Sequence, residues 1–233
     1  MKAKQSASTV RGHMVRLAVI VNLLLAAGFG PAAAAEEQAP PVRIVAFGDS
    51  LTAGYRLAPG EAFPAQLAEA LKAKGVAAEI ANAGVSGDTT AAGLGRLDWA
   101  IPEGTDAVIV ELGANDALRG IDPDETRRNL DAILSRLKAR NIDVLLAGMA
   151  APKNWGEAYE ARFATIFSDL AAKHDVLLYP FFLDGVALDA KLNLEDGLHP
   201  TGAGVSVIVT RILPEVERLI DRVEVRRAAS SKS

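Results

Sequence analysis

The chain has 233 residues, half of them hydrophobic and 23% charged, with a net charge of −4 and no cysteine. Those values exclude a disordered or fibrous chain. The lack of cysteine removes disulfides, thiolate metal sites and a cysteine nucleophile together, so the fold is held by packing.

Residues 1–35 read as a secretory signal peptide. Lys2, Lys4, Arg11 and Arg16 precede any acid, Leu17–Phe29 is nearly all apolar, and Ala32–Ala35 supplies small residues for cleavage. That apolar core is about 13 residues, interrupted by Asn22, against the roughly 20 that a spanning helix needs. No later stretch comes nearer, so no integral membrane span is expected. Cleavage near Ala35 leaves 21 Lys/Arg against 29 Asp/Glu, a net charge of −8. Such a surface excludes a basic nucleic-acid binder. Residues 36–41 form a short polar lead, 42–225 a single domain, and 226–233 a charged, Ser-rich tail expected to be loose. No internal repeat or linker marks a second domain.

Within the domain, short apolar runs alternate with stretches at helical period. Arg43–Phe47 is the first run, of the composition expected for a strand buried on both faces. Ala62–Lys74 follows as a helix, with Pro64 in its first turn, Leu67 and Leu71 on one face and Gly75 past its end. Next come a strand at Ala77–Ala81, a short helix at Ala91–Trp99 and a strand at Ala107–Glu111. Asp122, with Pro123 and Glu125 behind it, predicts an N-cap and capping box for a helix to about Arg140. A strand at Val144–Ala147, a helix at Ala158–Lys173, a strand at Val176–Tyr179 and a helix at Val205–Arg222 complete the chain. Five strands alternating with helices predict an α/β fold with a parallel sheet covered on both faces. Ligands bind such sheets beyond the carboxyl ends of the strands.

Four segments that follow strands carry chemistry. Gly48-Asp49-Ser50-Leu51-Thr52-Ala53-Gly54 offers a serine between glycines. It is not a Gly-x-Ser-x-Gly elbow, because Thr52 stands where the second glycine belongs. Asn82–Thr90 contains Gly84 and Gly87, either of which can present an amide. Gly113-Ala114-Asn115-Asp116 offers a neutral amide donor in Asn115. Glu195-Asp196-Gly197-Leu198-His199-Pro200 brings an acid and a base three residues apart. A serine attacks only if an imidazole takes its proton, and the imidazole needs a carboxylate to hold its tautomer. The oxyanion that forms needs preorganised donors, for which the Ser50 and Gly87 amides and the Asn115 side chain are candidates. Of three histidines, His13 lies in the leader and His174 near a helix end, leaving His199 as the base.

The four blocks in this order resemble the GDSL or SGNH hydrolase family. Gly48–Tyr55, Ser86–Thr89, Gly113–Asp116, Met149–Pro152 and Tyr179–Phe182 look like its secreted acyl-CoA thioesterase I, lysophospholipase or arylesterase branch. The resemblance implies a flavodoxin-like three-layer α/β/α sandwich with a five-stranded parallel sheet, order 2-1-3-4-5. It implies metal-free, cofactor-free hydrolysis of carboxylic esters and thioesters, with small-molecule ester or lipid substrates. By motif position Ser50 is the nucleophile, His199 the base and Asp196 its partner, and Ser50, Gly87 and Asn115 form the oxyanion hole. One departure is Ala114, where members often carry glycine.

Several positions admit competing roles. Asp49 and Asp116 are expected to bind local backbone, and Asp184 and Asp189 rival Asp196 as the acid. Trp155, Tyr159, Phe163, Phe181, Phe182 and Leu183 either line an acyl groove or pack the core. The glycine-rich stretch Gly84–Gly95 lacks a P-loop lysine and argues against nucleotide binding. The expectation is a secreted or periplasmic serine esterase. A carbohydrate acetylesterase on the same fold, or a non-catalytic envelope binding protein, are the alternatives.

Overall fold

The computed structural model describes residues 40–231, so the proposed leader and the residues up to 39 lie outside it. Five strands form one parallel sheet: β1 (Val42–Gly48), β2 (Ala78–Gly84), β3 (Ala107–Glu111), β4 (Asp143–Ala147) and β5 (Leu177–Tyr179). Their order is β2-β1-β3-β4-β5, the order the resemblance implies. Helices α2 (Phe63–Ala73) and α8 (Gly202–Ser230) pack together on one face. On the other, α3 (Thr90–Ala100), α5 (Pro123–Ala139) and α7 (Ile166–His174) pack in sequence. Three short helices, α1 (Ser50–Ala53), α4 (Ala114–Leu118) and α6 (Glu157–Ala164), follow strand ends or lead back to the sheet.

The core forms where helix stripes meet the central strands. Every residue of β3 is buried, and Leu67 and Leu71 of α2, Leu130, Ile133, Leu134 and Leu137 of α5, and Ile208, Ile212 and Val216 of α8 close over the sheet. Fully burying each such side chain contributes about 1.5–3 kcal/mol. The expectation of strands buried on both faces fails for β2, whose residues are all half-buried or exposed. It is an edge strand, paired with β1 alone. It also runs further than its apolar residues indicate, because Asn82, Ala83 and Gly84 stay in register with Ala46, Phe47 and Gly48.

Helix signals hold with local differences. Asp122 caps α5 by accepting from the Asp124 amide at 2.9 Å, and its carboxylate also takes Arg162 at 2.6 Å. The cap is thus shared with Arg162 rather than closed as a box by Glu125. The helix expected over Ala158–Lys173 is two, α6 and α7, separated at Thr165. There the Thr165 hydroxyl accepts from Arg127 at 2.9 Å and its carbonyl accepts from the Ser168 hydroxyl at 3.2 Å.

The loose tail expected over 226–233 is corrected as far as Ser230, because α8 continues to that residue. Arg226 donates to the Asp143 carboxylate at 2.8 Å, and Arg227 to Asp106 Oδ2 at 2.6 Å and the Pro40 carbonyl at 2.8 Å. These partners tie the last turns of the helix to the amino ends of β1, β3 and β4.

Candidate active site

Because the strands are parallel, the segments that follow them emerge at one rim. The first is the turn from β1 into α1. A Cβ at Gly48 would fall on the Thr52 hydroxyl and the Glu111 carboxylate, so only glycine lets the strand end this close to both. Asp49 caps α1, its Oδ1 accepting from the Leu51 amide at 3.0 Å. Gly54 closes the turn at φ +80, a conformation that side chains resist. Ser50 is therefore the first helical residue, and its amide has no carbonyl one turn back to bind.

The His199 loop meets that serine. Ser50 Oγ lies 2.9 Å from His199 Nε2, and His199 Nδ1 lies 2.9 Å from Asp196 Oδ2. Asp196 Oδ1 also accepts the backbone amides of Leu198 at 2.9 Å and His199 at 3.0 Å. Those bonds, the His199 amide foremost, hold the Asp196 carboxyl down at about 2. An ionised carboxylate only accepts, so Nδ1 carries the ring proton and Nε2 presents a lone pair to the Ser50 hydroxyl. The Tyr55 ring packs on the imidazole with centroids 4.5 Å apart.

The candidate donors lie on the segments that follow β3 and β2. Asn115, on α4, gives one amide hydrogen to Asp49 Oδ2 at 2.9 Å and keeps a second. Ala114, the departure from the family pattern, is a right-handed helical residue half-buried against the core, so its methyl sits without backbone strain. Gly87 adopts φ +86, and its carbonyl is held by Arg119 at 2.8 Å. Its amide binds no other group among the described residues. Gly84 is different: it ends β2, and its amide already donates to Asn82 Oδ1 at 2.9 Å.

The rival acids have other partners. Asp184 pairs with Arg211 and Asp189 receives the Lys191 amide. Asp116 accepts from the Thr90 amide at 2.8 Å and from the Thr90 and Thr126 hydroxyls, knitting α3 to α5. His174, buried, binds Asp131 at 2.6 Å and ties α7 to α5. Of the aromatic residues, Phe163 and Phe182 are fully buried in the core. Trp155 is exposed and donates to the Ala117 carbonyl at 2.8 Å, beside the Asn115 helix.

Three features escaped the sequence reading. Asp49 binds Asn115 besides its local amide, Tyr55 packs on the histidine, and Glu111 lies wholly buried under the serine turn. A signal existed only for Glu111: an acid ending an otherwise apolar buried strand.

With this geometry in place, the comparisons decide the family. The model of the GDSL-like Lipase/Acylhydrolase family matches residues 46–207. The chain belongs to that family. As a member it is an ester hydrolase. It is 36% identical over 179 residues to the Thioesterase 1/protease 1/lysophospholipase L1 of Escherichia coli (strain K12), covering 76% of this chain and 85% of that one. An arylesterase of Vibrio mimicus is 38% identical over 159 residues, 68% of this chain and 80% of that one. Among solved structures, AlinE4, an SGNH-hydrolase family esterase, shares 48% identity with a TM-score of 0.66 over 77% of this chain and 97% of that chain.

Proposed function

We propose that this chain is an exported serine esterase acting on carboxylic esters and thioesters through an acyl-serine intermediate. The observation that carries the reading is the unbroken hydrogen-bonded line from Ser50 through His199 to Asp196, 2.9 Å at each link. Ser50 Oγ attacks the substrate carbonyl carbon while its proton passes to His199 Nε2. The imidazolium is stabilised by Asp196, which remains ionised. Negative charge moves to the carbonyl oxygen, and the Ser50 amide, the Gly87 amide and the second Asn115 hydrogen receive it. Collapse breaks the bond to the alcohol or thiol, which leaves with the proton from His199. Water then attacks the acyl-serine, gives its proton to the same nitrogen, and a second collapse frees the acid and restores the Ser50 hydroxyl.

Two considerations narrow the substrate. The similar proteins are named for thioester, lysophospholipid and aryl-ester hydrolysis, which supports a small-molecule ester or lipid substrate here. The sequence of residues 1–35 supports export, and a domain of charge −8 repels a polyanion such as acyl-CoA. Lysophospholipids and small esters met outside the cytosol fit better as physiological substrates. Ser50→Ala is the test: it should abolish turnover with unchanged circular dichroism. Retained turnover would remove Ser50 from the mechanism. A series of p-nitrophenyl esters of rising chain length then separates an acyl hydrolase from an enzyme confined to acetyl groups.

A further inference from the structure

Glu111 has no part in the chemistry above, yet its carboxyl is fully buried beside it. It ends β3 after Ala107, Val108, Ile109 and Val110, and like them it is fully buried. Its Oε2 accepts from the Thr52 hydroxyl at 2.7 Å and the Asp49 amide at 3.3 Å. Its Oε1 is equally buried and has no partner among the described residues. The bare Cα of Gly48 is what admits the carboxyl to the turn. One side chain therefore grips the residues on both sides of the Ser50-Leu51 pair. The first of them, Asp49, in turn holds Asn115 at 2.9 Å.

We propose that Glu111 is a positioning residue for ester hydrolysis, fixing the Ser50 turn through Thr52 and Asp49 and, through Asp49, the direction of the Asn115 amide. The inference rests on the roles given above to Ser50 and Asn115. Glu111 acts as a neutral acid. A buried carboxylate with one oxygen unpartnered, next to the buried Asp49 carboxyl, would carry an uncompensated charge. Burial, reinforced by the charge of Asp49, pushes the Glu111 carboxyl well above its ordinary range. In the neutral form one oxygen still accepts both bonds. What the residue supplies is geometry, and reacting groups displaced by about 1 Å lose roughly 10²-fold in rate.

The experiment compares wild type, Glu111→Gln, Glu111→Ala, Thr52→Val and the Thr52→Val/Glu111→Ala double variant. It measures kcat and KM on an aryl ester and the rate at which a fluorophosphonate labels Ser50. Glu111→Ala is expected to lower kcat and the labelling rate by about 10- to 100-fold, with KM within about 3-fold of wild type. Glu111→Gln, whose amide oxygen accepts the same two bonds, restores both rates to within about 3-fold. Thr52→Val loses a smaller factor, and the double variant falls no further than Glu111→Ala, as residues in one network do. If Glu111→Ala does not fold, Glu111→Gln and Thr52→Val still decide. Losses confined to KM, wild-type rates in Thr52→Val, or a Glu111→Gln enzyme as damaged as Glu111→Ala would overturn the inference. Wild-type protein left unlabelled at Ser50 would remove the nucleophile reading itself, whereas labelled wild type with unaffected variants removes only the role of Glu111.

Discussion

Both ring nitrogens of His199 are committed, one to Ser50 and one to Asp196, and the expectations for the acid follow from that. Asp196→Asn exchanges an acceptor for an amide that can favour the wrong tautomer, so kcat should fall by roughly 10⁴. Asp184→Asn and Asp189→Asn, whose partners are Arg211 and a local turn, should leave kcat near wild type. The reverse pattern would reassign the acid. Asn115→Ala should cost about 10² to 10³ in kcat with little change in KM, the usual loss for one oxyanion donor; a change confined to KM would make Asn115 a binding residue.

The two acids flanking the reacting atoms titrate in opposite directions. Asp49 is pushed up to about 6, mainly by burial, whereas backbone amides hold Asp196 at about 2. Carboxyl ¹³C titration of the folded protein should show both values, one lost in Asp49→Asn and the other in Asp196→Asn. The sign for stability differs accordingly. Between its ordinary value of 3.8 and about 6 the folded state holds a proton on Asp49 that the unfolded chain has released. That contribution therefore falls as pH rises. For Asp196 the contribution is present above 3.8 and is lost as pH falls through about 2. It is small, because the side chain is exposed to solvent over 29% of its surface.

At the scale of elements, the strands and most helix starts were legible because they depend on neighbours in sequence: apolar runs, Pro64, and Asp122 ahead of Pro123. What was not legible depends on distant partners. Nothing local separates α6 from α7, since the apolar spacing runs on through Thr165. The end of α8 looked like a tail because the apolar stripe stops at Val223, yet Arg226 and Arg227 find Asp143 and Asp106, 83 and 121 residues away. The site divides in the same way. Ser50, Asn115, Asp196 and His199 stand in recognisable spacings, while the Asp49–Asn115 bond and the Glu111 carboxyl under the turn exist only once β1 and β3 are paired. Deleting residues 226–233 should therefore destabilise the domain by about 1–3 kcal/mol in urea unfolding, since these partly buried bonds to charged groups are lost. An unchanged midpoint would return this segment to the status of a tail.

For the whole molecule, strand order β2-β1-β3-β4-β5 is what would let four separated segments act as the one site proposed above. It places β1 beside β3, so the serine turn and the Asn115 helix emerge next to each other, and β2 beside β1, so Gly87 approaches from the other side. The His199 loop closes the constellation just before α8 crosses back over the sheet. With no cysteine in the chain, activity should be unaffected by reductant. Among the described residues no cluster of His, Asp or Glu is arranged to hold a metal ion, so EDTA should leave activity unchanged as well. Loss of activity in EDTA would call for a metal-dependent step.

On the proposed mechanism Ser50 becomes acylated during turnover, and a fluorophosphonate reports on this directly, because only a serine activated by its base displaces the fluoride. Treated to complete inactivation and mapped by peptide mass spectrometry, the protein should carry one phosphonyl group, on Ser50, with inactivation proportional to labelling and no adduct on Ser50→Ala. Full activity in a labelled protein, or inactivation with the adduct on another residue, would contradict it.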